Sequence, residues 1–135
     1  MTEAEKKFIV DSWAWIEYFE GSQTGKKVAD IVEDEKNTVI CSSLTLAEIV
    51  SKFARKQMDF KEVVYGITSL SRVIEVDELM AVSAGEIHAS VRKYIKDFGL
   101  VDAFLLSIAR SSHAKILTGD PHFKGFPEAT MLFTK

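Results

Sequence analysis

A three-layer α/β/α fold around a central, mainly parallel sheet is what this sequence predicts, on three observations. Short apolar runs rich in β-branched residues recur along the chain, as in Phe8-Ile9-Val10, Thr38-Val39-Ile40-Cys41 and Lys115-Ile116-Leu117-Thr118. The segments between them carry apolar residues at i, i+3, i+4 and i+7, the spacing of one helix face. One late helix is apolar nearly all round and must be packed on several sides. Short apolar strands alternating with helices belong to sheets covered on both faces.

The elements follow in order. Phe8-Ile9-Val10 is a buried strand ending at Asp11, and Ser12 to Glu20 is a helix stopped by Gly21. Gly25 to Glu35 is a second helix with Val28, Ile31 and Val32 inward. Thr38 to Cys41 is the next strand, followed by Ser42-Ser43. The helix beyond has one stripe, Leu46, Ile49, Val50 and Phe53, and another helix repeats it with Phe60, Val63, Val64 and Ile67. Arg72 to Val76 is a strand, and Asp77 caps a long helix lined by Met80, Ala84, Ile87, Val91, Tyr94 and Phe98, which Gly99 ends. Val101 to His113 is the all-round apolar helix, with His113 placed to cap its C-terminus. Lys115 to Thr118 and Met131-Leu132-Phe133 are the last strands.

Composition bounds the function. At roughly 150 residues per domain, 135 residues predict a single domain over 1–135. The chain is 47% apolar, and its 17 basic and 20 acidic side chains leave a net charge of −3, so bulk charge makes no case for nucleic acid. No apolar run approaches the roughly 18 residues of a membrane span, so no membrane association is expected. The mixed-charge opening Met1-Thr-Glu-Ala-Glu-Lys-Lys is not a secretory signal, and with Cys41 the lone cysteine, a reducing cytoplasm is the expected location.

In open parallel sheets, sites form outside the carboxyl ends of the strands. Four acids belong to that edge. Asp11 follows the first strand, and Glu48 lies in the first turns of the helix after the second. Asp102 opens the apolar helix, and Asp120 follows the strand after it. Each has a plain reading alone: Asp11 as a cap, Glu48 as a partner of Lys52, Asp102 on the helix dipole, Asp120 as a turn acid. Convergence is what favours chemistry. Two unit charges about 4 Å apart repel by about 4 kcal/mol at an effective dielectric of 20, so such a cluster shifts its pKa values upward or recruits a cation. An all-oxygen set suits Mg²⁺ or Mn²⁺, and that ion suits phosphodiester hydrolysis. His88, His113 and His122 form no zinc-ligand spacing with Cys41.

The stretch Gly99-Leu-Val-Asp102-Ala-Phe-Leu-Leu-Ser-Ile-Ala109, with Ala114-Lys-Ile-Leu-Thr118-Gly-Asp120-Pro-His-Phe123, resembles the PIN-domain family and its VapC-type toxins. Phe8-Ile-Val-Asp11-Ser12 and Ser43-Leu-Thr-Leu-Ala-Glu48 are similar to that family's first two acidic segments, in the same order, and the likeness runs from Phe8 to Phe133. It implies a PIN-like fold in which Asp11, Glu48, Asp102 and Asp120 hold Mg²⁺ or Mn²⁺ as the catalytic set. It also implies metal-dependent endoribonuclease chemistry, with Ser12 and Thr118 orienting the carboxylates. A cognate antitoxin and a homodimer are further implications. The chain departs from the pattern at His122, where many relatives carry another acid.

Lys52, Arg55 and Lys56 extend along the Glu48 side of their helix and are candidates to hold RNA phosphates, against the plain reading of a solvated face. Arg92, Lys93, Lys96 and Lys124 share that ambiguity. Trp13, Trp15, Tyr18 and Phe19 fit core or interface better than a base-stacking platform. The rival functions are a housekeeping RNA-processing nuclease of the same family, an inert RNA-binding module, and a phosphoacceptor receiver. The chain lacks the acidic pair a receiver carries at its first strand, which here ends Val10-Asp11-Ser12.

Overall fold

A computed structural model describes residues 5–132. Phe133, the end of the last expected strand, and residues 1–4 lie outside the described residues. Five strands form one sheet: β1 (Lys6–Val10), β2 (Asn37–Ser42), β3 (Arg72–Ile74), β4 (Lys115–Thr118) and β5 (Ala129–Met131), in spatial order β3-β2-β1-β4-β5. Every pairing is parallel, with Phe8 opposite Val39 and Lys115. Six helices cover it: α1 (Ser12–Glu20), α2 (Gln23–Val32), α3 (Ser43–Arg55), α4 (Lys61–Leu70), α5 (Glu78–Val91) and α6 (Leu100–Ser112).

Strand alternation divides the core in two. Phe8, Val10, Val39, Cys41 and Leu117 point to one face and pack with Trp15, Val28, Ile49 and Ile67 from α1 to α4. Ile9, Ile40 and Ile116 point to the other and pack with Ala84 and Val91 of α5 and with Leu105, Leu106 and Ile108 of α6. Each such side chain contributes about 1.5–3 kcal/mol on burial, and a one-residue slip would exchange the two faces. The strands are therefore apolar without alternation, because neither face meets water.

Helix ends follow local chemistry. Asp11, Ser22, Ser42 and Asp77 cap α1, α2, α3 and α5 with their side-chain oxygens. Gly21 ends α1 at φ 69°, a left-handed conformation that glycine adopts without strain. His113 takes the same conformation at φ 54° and closes α6, as its place near the helix end suggested.

Several boundaries differ from the sequence reading, and β5 covers Ala129–Met131 where a strand was expected over Met131-Leu132-Phe133. α2 starts two residues earlier than Gly25, because the Ser22 hydroxyl receives the Gly25 N–H at 2.9 Å. It stops at Val32, where the Asn37 side-chain amide donates to the Ile31 carbonyl and the Asp34 carboxylate accepts the Lys36 N–H. β3 ends at Ile74 rather than Val76, at the edge of the sheet, with β2 alone to pair with. α5 stops at Val91 instead of running to Phe98. The chain there folds into turns that carry Phe98 into the core against Phe123 and Phe126, and the His88 ring meets the Phe98 carbonyl at 3.1 Å.

Candidate metal centre

From β1 the chain builds β2 and β3 on one side, then returns to place β4 and β5 on the other. The order reverses between β1 and β4, the place beyond whose carboxyl ends open parallel sheets put their sites. Asp11 leaves β1 at that point, with its N–H bonded to the Leu117 carbonyl of β4 at 3.3 Å. Thr118 ends β4, and Asp120 follows two residues later as the cap of a 3-10 turn over Pro121–Phe123. Asp102 enters from the first turn of α6 and Glu48 from α3.

Asp11 is 5% exposed. Its Oδ1 accepts the Ala14 N–H at 2.8 Å, and its Oδ2 accepts the Thr118 hydroxyl. Burial raises its pKa to about 7; the Thr118 and Ala14 hydrogen bonds oppose the rise, and the charges of Asp120 and Asp102 add to it. Thr118 also accepts the Asp120 N–H at 2.9 Å, so one hydroxyl ties Asp11 to the Asp120 loop.

Asp102 accepts the Gly99 N–H at 3.2 Å, closing the entry to α6. Its pKa is raised, first by burial and then by the Asp120 charge, with the Gly99 bond opposing. Glu48 belongs to an exposed turn of α3, yet desolvation around its carboxyl, followed by the Asp102 charge, raises its pKa too; a hydrogen bond from Ser12 opposes the rise. Asp11 thus feels Asp102 and Asp120, Asp102 feels Asp120, and Glu48 feels Asp102. Charge coupling thus links the four acids, with Ser12 and Thr118 each bonded to one of them, but Asp11 and Glu48 are not in the group whose ligand atoms all lie within 4.8 Å of one another.

Lys52 and Arg55 do not enter that cluster. With Ser12, Trp13, Glu48 and Ser51 they line a groove leading from it along α3. Trp13 leans over the Asp120 loop so closely that a Cβ on Gly119 would overlap its ring. Trp15, by contrast, is fully buried in the core.

His122 and Asp97 were not among the sequence candidates. Ligand atoms of Asp102, Asp120 and His122 all lie within 4.8 Å of one another. The His122 Nδ1 is 3.3 Å from Asp120 Oδ1 and 3.8 Å from Asp102 Oδ2, and its Nε2 is 3.1 Å from Asp97 Oδ1. Burial works against the charged imidazole, but the Asp97 hydrogen bond and the charges of Asp120, Asp97 and Asp102 outweigh it and raise the His122 pKa. The Asp120-Pro-His122 spacing could have signalled His122. Asp97 left no sequence signal, because it sits in the turns where a helix was expected.

Comparison with known proteins gives the following. Residues 8–129 match the family model of the PIN domain. Among solved structures, the chain is similar to DNA-bound VapBC from Salmonella typhimurium, at 20% identity and a TM-score of 0.72, over 95% of this chain and 99% of that one. It is also similar to promoter-bound VapBC2 from Rickettsia felis, at 16% and 0.71, over 93% and 96%. A third is VapC20 of Mycobacterium tuberculosis, described as a toxin that cleaves the sarcin-ricin loop, at 19% and 0.66, over 90% and 97%. No curated protein sequence matches the chain.

Proposed function

Because this chain belongs to the PIN-domain family, we propose that it is a metal-dependent endoribonuclease and the toxin of a toxin–antitoxin pair. The observation that carries the reading is the charge coupling of Asp11, Glu48, Asp102 and Asp120 beyond the carboxyl ends of the strands, with three of their pKa values raised by burial and by one another. A divalent cation relieves that repulsion, and the hard oxygen donors fit Mg²⁺ or Mn²⁺.

Asp11, Glu48, Asp102 and Asp120 would hold the ion. The chemistry supplied by a bound Mg²⁺ or Mn²⁺ is activation of water and neutralisation of charge on the scissile phosphate and its leaving oxygen. Thr118 fixes Asp11, and Ser12 steadies Glu48, so both carboxylates are oriented before substrate arrives. Lys52 and Arg55 hold RNA phosphates along the adjoining groove.

The toxin role draws on the similar structures, two of which are VapBC assemblies on DNA. It also draws on a groove between α1, α3 and α4, where Phe19, Phe53, Met58 and Val63 are flanked by Glu20, Lys52, Lys56 and Glu62, which suits an amphipathic antitoxin helix. Exposed Leu79 and Val82 on α5 support pairing as a homodimer. No helix among the described residues is long and apolar enough to cross a membrane, and the reading places the protein in the cytoplasm.

The test is cleavage of a labelled RNA pool. Cutting should require Mg²⁺ or Mn²⁺, stop with chelator, and be lost in Asp11→Asn and Asp102→Asn. Equal residual cutting by wild type and Asp11→Asn would mean contamination and end the assignment.

A further inference from the structure

We infer that His122 is itself a ligand of the divalent ion, oriented by Asp97, so that the centre is of mixed nitrogen–oxygen type. The inference rests on the metal-dependent reading above and concerns a residue that reading does not use.

Ligands about 2.1 Å from a small octahedral ion stand about 3 Å apart when adjacent. The His122 Nδ1 lies 3.3 Å from Asp120 Oδ1 and 3.8 Å from Asp102 Oδ2, so the three donors lie close enough together to share one ion.

A ligating histidine characteristically gives its other N–H to a carboxylate, which sets the tautomer and the ring orientation. The His122 Nε2 faces Asp97 Oδ1 at 3.1 Å. A proton on Nε2 donated to Asp97 leaves the Nδ1 lone pair facing Asp102 and Asp120. The Asp97 side chain is 82% exposed, so as a bare ion pair with His122 it would contribute little. As a positioning residue it has a purpose.

Asp97 precedes Phe98 and His122 precedes Phe123, and those two rings are fully buried and packed edge to face at 6.0 Å. The contact clamps the two loops together. The Asp120 carboxylate also holds the His122 N–H at 2.9 Å across Pro121, which limits the turn further. The imidazole is thus presented from a braced turn.

A nitrogen donor favours Co²⁺ and Mn²⁺ over Mg²⁺ more than a fifth carboxylate does. The experiment is pulsed EPR of the Mn²⁺-loaded protein, with calorimetric titration of Co²⁺ and Mg²⁺. Wild type should show a directly coupled ¹⁴N that changes on histidine ¹⁵N labelling and vanishes in His122→Asp. The ratio of Co²⁺ to Mg²⁺ affinity should fall about tenfold or more in His122→Asp, and Asp97→Asn should weaken Co²⁺ about tenfold while keeping the coupling. The labelling arm needs no variant, so poor folding of His122→Asp leaves the answer intact. If Mn²⁺ binds wild type and is lost in Asp102→Asn, yet no histidine nitrogen couples, this inference is overturned and the nuclease reading stands. If neither Mg²⁺ nor Mn²⁺ binds wild type, both fall.

Discussion

Thr118 gives its hydroxyl hydrogen to Asp11, a residue 107 positions earlier, while accepting the backbone N–H of Asp120. The bond joins the ends of β1 and β4 and leaves the Asp11 carboxylate little freedom. Thr118→Val keeps the shape and strand propensity but removes the donor and the acceptor together. It should lower stability by about 1–3 kcal/mol and reduce metal affinity about 10–100-fold, with Thr118→Ser close to wild type. Chemical denaturation and metal titration read the two effects separately. Unchanged metal affinity in the valine variant would deny Thr118 an orienting role.

The Asp11 carboxyl gives metal-free stability an unusual pH dependence. Its pKa is about 7 in the fold against 3.8 ordinarily, so between pH 4 and 7 the folded state holds a proton that the unfolded state has released. Stability therefore falls as pH rises through that window, by on the order of 4 kcal/mol in total, and levels off above it. The raised pKa values of Glu48 and Asp102 act in the same direction. Asp11→Asn should flatten much of the slope in urea melts done in chelator, and added Mg²⁺ should restore stability at pH 8 in wild type alone. Equal slopes in the two proteins would refute the buried-charge account.

Gly119 is required by the ring beside it. An added methyl would overlap the Trp13 indole, so Gly119→Ala must displace that ring, at about 1–3 kcal/mol. Trp13 forms a wall of the groove that also holds Glu48, Lys52 and Arg55. A shift in tryptophan emission and weaker RNA binding are expected together. A variant with native emission and stability would show that the ring yields freely.

Lys52 and Arg55 extend from the cluster along α3, and Arg55 is exposed, with its Nε–H on the Ser51 carbonyl at 3.2 Å. If they hold phosphates, Lys52→Gln and Arg55→Gln should each weaken RNA binding, and the slope of log affinity against log salt should fall by about one per residue. Melting temperatures should stay near wild type. Salt slopes that do not move would assign both residues to a solvated face.

Much of this architecture was legible along the chain because its causes are local. The apolar runs of β1, β2 and β4 mark strands covered on two sides, and Asp11, Asp77, Gly21 and His113 mark helix ends through groups a few residues away. That Asp11, Glu48, Asp102 and Asp120 lie just beyond strand ends or early in helices was legible for the same reason. Two facts were decided by tertiary structure alone. One is that β4 lies against β1, which sets Thr118 and Asp120 beside Asp11. The other is that α5 ends early, which turns Phe98 into the core and brings Asp97 to His122. Strand order and the path of a turn depend on burying both sheet faces at once. That is a balance over the whole chain, and no window of neighbouring residues contains it.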